Sequence, residues 1–175
     1  ADLHSELATT GSPTCSPASI SFALLMLLPG ARGNTADEVA TMLHLPADLR
    51  GTKLHKAAAA LLEKTARMGT CGFGDGPQLR ITNDFWGQQG HEFVPAYREL
   101  LKSAFGSYLH EVDFKSDHES ARQAINKRIA AATNQRIPEL LPPGAVGPDT
   151  RTVISNAIWY RGEWVHDFYR PERLS

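Results

Sequence analysis

An α+β fold is predicted by three observations. The first is a helix near the start of the chain that is apolar on every side. The second is a pair of helix starts with capping-box spacing, and the third is a late strand that is apolar on both faces. A chain of 175 residues can bury one sizeable core, since single domains commonly run to ~100–200 residues. Its eleven prolines and fourteen glycines are spread along the chain, which suits a compact mixed fold. No repeat, low-complexity tract or interdomain linker interrupts it.

The first helix opens at SPASI. Ser16 is a good N-cap, because its oxygen can accept from a first-turn amide, and Pro17 loses nothing at the next position by lacking an N–H. From Ile20 to Leu28 apolar side chains cover the whole cylinder, which marks a helix buried in a larger protein or a membrane. A bilayer needs ~20 apolar residues, so a central core helix is expected, with the hydroxyls of Ser16 and Ser19 starting it deep inside, where they need fixed partners. Gly30 supplies the stop.

TADE, Thr35 to Glu38, forms a capping box ahead of a short helix reaching Leu43. KLHKAAAALLEKTAR is the next helix, with Leu54, Ala58, Leu61 and Leu62 on one side. GTCGFGDGP is a flexible connection and LRITNDFWGQ a strand. FVPAYRELLKSAFG is a helix ending at Gly106, and SYLHEVDF a second strand. A capping box from Ser116 to Glu119 starts another helix, which carries Ile125 and Ile129. In TRTVISNAIWYRGEW, Thr152, Ile154, Asn156, Ile158 and Tyr160 face one way, and Val153, Ser155, Ala157 and Trp159 the other. Such a strand lies inside a sheet covered on both sides, and buries the amide of Asn156.

Little in the chain speaks for enzymatic chemistry. The nucleophile-elbow, zinc-protease and phosphate-loop motifs are absent, and the seven histidines lack the spacing of a helical metal site. GFGDG follows a helix, not a strand, so it reads as a loop and not a nucleotide site. Asp37 and Glu38 are explained by capping. Cys15 and Cys71 are too few for a disulfide scaffold. A net charge of −1 draws the chain neither to nucleic acid nor to an anionic membrane. No cofactor or metal is expected. Lys53, Lys56, Lys64 and Arg67 fall within an arc of roughly 80° at helical spacing. That stripe would suit a polyanion, or simply a solvated helix face.

SPASISFALLMLLPGARGNTADEVATML resembles the serpin signature of helices B and C, S-P-x-S-I followed by G-A-x-G-N-T-x-x-E. QLRITNDFWGQ resembles strand 2 of the large sheet A. FVPAYRELLKSAFGSYLHEVDF resembles helix E with strand 1A, and INKRIAAATNQRI the end of helix F. TVISNAIWYRGEWVHDF resembles strand 3A and the breach. The likeness is collinear over the chain and implies the N-terminal portion of a serpin fold: the helix A–F region with strands 1, 2 and 3 of sheet A. Residues 1–175 would then be the N-terminal part of a single domain, with the reactive-centre loop in an absent C-terminal part. Gln135, Arg136 and Arg161 stand where the family usually has glycine, lysine and lysine.

The resemblance implies inhibition by suicide trapping. A serine or cysteine protease cleaves the exposed loop and is held as an acyl-enzyme, while the loop inserts into sheet A beside strand 3A. In the family the positions of Ser16, Ser19 and Asn156 form the shutter, completed by a histidine on strand 5A, and those of Gly162, Trp164 and Phe168 lie at the breach. The implied partners are a target protease and the remaining part of the same protein, with no nucleic acid or membrane, and an extracellular setting is favoured. ADLHSELA reads as the middle of a helix, so an export signal upstream is compatible with it. The alternative is a non-inhibitory serpin, a chaperone, a carrier or a polyanion-binding module using the Lys53, Lys56, Lys64 and Arg67 stripe. The apolar edge of strand 3A is expected to keep the chain from standing alone as a stable monomer.

Overall fold

The computed structural model describes residues 16–49, 51–68 and 78–162. Ser16 caps helix α1 (Pro17–Leu27) as its sequence requires: its Oγ accepts from the Ser19 amide at 3.3 Å, with Pro17 in the first turn. Helix α2 spans Gly33–Met42 and α3 spans Thr52–Met68, with a short 3-10 turn at Ala47–Leu49 between them. The chain then alternates: β1 (Gln78–Gln88), α4 (Pro95–Phe105), β2 (Leu109–Val112), α5 (Phe114–Ala132) and β3 (Thr152–Arg161). Gly106 ends α4 in the left-handed conformation at φ 59°, where a β-carbon would be strained.

The three strands form one mixed sheet in the order β2-β1-β3, with β2 parallel and β3 antiparallel to the central β1. Two apolar clusters cover its faces. On one side Met26 of α1, Ala58 of α3, and Leu101, Ala104 and Phe105 of α4 close over Phe85, with Ile154 packed against them. On the other, Phe114, Ala121 and Ile125 of α5 cover Trp86, together with Val146 of the connection to β3 and Val153. Ile154 and Val153 therefore serve opposite layers, as the alternation of the strand demands.

Three local expectations are corrected. The helix that reads as apolar all round buries only Phe22 and Met26, and Leu27 is 38% exposed. One side of α1 lies on β3, and the other is uncovered among the described residues. Neither capping box forms. Helix α2 begins at Gly33 with no side-chain cap, so Thr35 and Glu38 lie inside it. Helix α5 is capped by Asp113, whose carboxylate accepts from the Ser116 amide, and kinks at Asp117, which accepts from the Ser120 amide. The two aspartates outcompete the serine because a carboxylate is the stronger acceptor. Leu61 is 50% exposed, because α3 packs along the ridge of Leu54, Ala58 and Leu62, four residues apart. β3 has apolar layers on both faces, as its sequence implies, and lies at the edge of the sheet among the described residues.

Candidate functional site

β1 carries two polar residues in succession, Asn83 and Asp84, inside an apolar strand. Adjacent strand residues point to opposite faces, so each must find partners in a different layer. Both are buried. Asn83 stands in register with Asn156 of β3, and the Asn156 Nδ2 donates to the Asn83 Oδ1 at 2.5 Å. The Asn156 Oδ1 is buried and receives no hydrogen bond among the described residues. An amide oxygen left in that state costs about 1–3 kcal/mol, so this position is chemically incomplete.

The serines sit on the same side of the sheet as this amide pair. Helix α1 packs on β3, and its Met26 joins the cluster that holds Ile154, two residues from Asn156. Ser16 is exposed and Ser19 half-buried, and neither hydroxyl bonds to Asn156. The structure thus brings Asn156 to Asn83 rather than to the two serines, and Ser16 is occupied as a cap. Below them, Tyr97 of α4 donates to the Met26 carbonyl at 2.8 Å, and burial pushes its phenol up to about 12. That bond ties α4 to α1 on the layer below the sheet.

The opposite face carries a second polar set. Asp84, fully buried, accepts from Arg128 of α5 at 3.3 Å and lies 2.9 Å from the Nε2 of His110 in β2. His110 stacks on Trp86 at 4.3 Å, and the Trp86 indole donates to Ser155 of β3 at 3.0 Å. One line of contacts therefore links α5 to all three strands. Farther along α5, Arg122 reaches Glu119, Glu139 and the Leu141 carbonyl. Asn126 accepts from the Leu140 and Leu141 amides and donates to the Leu141 carbonyl. The paired guanidinium of Arg122 draws the Glu119 carboxyl down to about 2.

Gly162 follows β3 directly and is exposed, and a β-carbon there would meet the Tyr160 ring. Trp164 and Phe168 lie outside the described residues, as do Cys15, Cys71 and GFGDG. Lys53, Lys56 and Lys64 are exposed along α3; Arg67 belongs to the same helix, with its side chain outside the description. Asn83, Asp84, His110, Arg122, Asn126 and Arg128 were not singled out from the sequence. The one available signal was the polar pair Asn83-Asp84 between Thr82 and Phe85, which no solvated strand would need on both faces.

Comparison with known proteins extends this picture. The family model described as Serpin (serine protease inhibitor) matches residues 2–173. Serpin B6 of Pongo abelii is 35% identical over 153 residues, which cover 87% of this chain and 39% of that protein. Leukocyte elastase inhibitor of Xenopus tropicalis is 35% identical over 159 residues, 91% of this chain and 40% of its own length. Among solved structures, ovalbumin from emu (Dromaius novaehollandiae) superposes with a TM-score of 0.79 at 25% identity, over 90% of this chain and 42% of that one. The chain thus spans about two fifths of the length of the relatives it matches. With its sheet, its helices and these likenesses in agreement, the chain belongs to the serpin family of serine protease inhibitors.

Proposed function

We propose that this chain is the N-terminal part of a serpin that inhibits a serine protease by suicide trapping, its loop inserting beside β3. The observation that carries this reading is the state of β3. Among the described residues its outer edge has no strand partner, and the buried Asn156 oxygen at its middle has no donor. A histidine arriving on a neighbouring strand from the remaining part of the protein would supply that donor, which is the role the family gives to strand 5A. A polar contact of this kind, made and remade while the sheet parts, suits a core that has two arrangements. Ser16 and Ser19 would join it as α1 is covered, and Gly162, Trp164 and Phe168 would meet the loop where it enters.

The test is a denaturing gel of the full-length protein after incubation with trypsin-like, chymotrypsin-like and subtilisin-like proteases. A band at the summed mass is expected with at least one of them. Clean cleavage without such a band in all three overturns trapping. The weight would then pass to a non-inhibitory serpin, a chaperone, carrier or polyanion binder, for which the exposed Lys53, Lys56 and Lys64 on α3 speak.

A further inference from the structure

β2 is much shorter than the strand it accompanies. It pairs only with Phe85 to Gln88, so β1 from Gln78 to Asp84 has no strand partner on that side among the described residues. The direction of the backbone groups there follows from the bonds that are made. The amides of Phe85 and Gln89 point to β2, while that of Gln88 points to Arg151 at the foot of β3. Strand groups alternate with period two, so the N–H and C=O groups of Leu79, Ile81 and Asn83 face outward on the open edge. That edge lines a cleft of about 590 Å³ between α3 and α4 on one side and α5 on the other.

The chemistry of the cleft is one-sided. Arg80, Lys102 and Arg128 line it, and no carboxylate does among the described residues. Arg128 is shared with Asp84, and Arg80 lies over the Trp159 ring at 5.5 Å, but Lys102 makes no ion pair among the described residues. The apolar walls come from Leu62, Leu79 and Phe105. We propose that this cleft binds an extended acidic peptide segment of a partner protein, added as a strand to the Leu79–Asn83 edge of β1. Main-chain pairing supplies the affinity of such added strands and side-chain pockets the specificity. Here alternate side chains of the peptide would meet the cations and the apolar walls. The site is on the opposite side of the sheet from the β3 edge, so it stands apart from loop insertion.

The experiment uses the full-length protein and a short fluorescein-labelled peptide of alternating glutamate and valine. Anisotropy reports binding, and amide hydrogen exchange reports its location. Lys102→Glu and Arg80→Gln should each weaken binding by about tenfold, as loss or reversal of a partly desolvated charge does. N-methylation of alternate peptide amides should weaken it at least as much, and the amides of Leu79, Ile81 and Asn83 should exchange more slowly when the peptide is bound. Equal affinity for the N-methylated peptide would reduce the interaction to charge alone and overturn strand addition. Protection of Ile154 and Ile158 in place of the β1 amides would put the peptide at the β3 edge and overturn the site, as would absence of binding.

Discussion

Gly87 shows how closely single residues are fitted. The Phe93 ring lies where its β-carbon would be. Phe93 also meets Phe85 edge-on at 5.8 Å and lies under the Arg98 guanidinium. Gly87→Ala must therefore displace a ring that Phe85, His91 and Arg98 hold, and overpacking of this kind costs about 1–3 kcal/mol. Urea unfolding should show a lower midpoint at unchanged slope; an unchanged midpoint would mean that Phe93 swings aside freely. At the amide pair the two partners are not equivalent. Asn83→Ala strands the Asn156 Nδ2 beside an oxygen that already lacks a donor, at a cost of about 1–3 kcal/mol. Asn156→Ala removes the undonated oxygen together with the bond, so in this chain it should cost less than Asn83→Ala. In the complete protein, where the proposed histidine supplies the donor, that order should reverse. Equal costs in both settings would count against the histidine.

At the scale of elements, α5 is fixed to the connection before β3 by Arg122 and Asn126 and to the sheet by Arg128. The Glu119 carboxyl, held at about 2 against an ordinary 4.5 chiefly by hydrogen bonds from Arg122, makes part of this anchor pH-dependent. A depressed folded value stabilises above the unfolded one and is lost as pH falls through the folded one. Stability should decline from pH 4.5 toward 2, and Glu119→Gln should flatten that part of the profile in thermal scans. An unaltered profile would show that Glu119 gains nothing from Arg122.

Much at this level was legible in the sequence. Periodicity placed α3, α4 and β1, because each buries a stripe or a face, and continuous apolar runs placed α1 and β3. Ser16 was readable as a cap because Pro17 follows it. The starts of α2 and α5 were misread because several polar residues there compete to cap, and tertiary bonds decide among them. Asp113, for one, also accepts from Gln88 at the end of β1. The polar contacts of α5 were invisible for a similar reason: Arg122 meets Glu139, and Arg128 meets Asp84, across distances in the chain that no local pattern encodes.

For the molecule as a whole the decisive feature is the outer edge of β3. Its pairing with β1 uses the odd-numbered residues: Gln88 donates to Arg151, and by the same register Ser155, Ala157 and Trp159 exchange bonds with Asp84, Thr82 and Arg80. The groups of Ile154, Asn156 and Ile158 therefore face away from β1, on an edge whose side chains are largely apolar. Edges of this kind pair with whatever strand is offered. The 175-residue chain alone should associate with itself in a concentration-dependent way, seen by sedimentation velocity, until the rest of the protein or another strand occupies the edge. Proline separates this cause from general stickiness, since it is tolerated in a strand only where its missing N–H faces outward. Ile158→Pro should lower the association while leaving the β1–β3 register intact. Ala157→Pro, one residue away, should break a ladder bond and destabilise the sheet by more than Ile158→Pro does. Association undiminished by Ile158→Pro would move its origin from the strand edge to the uncovered side of α1.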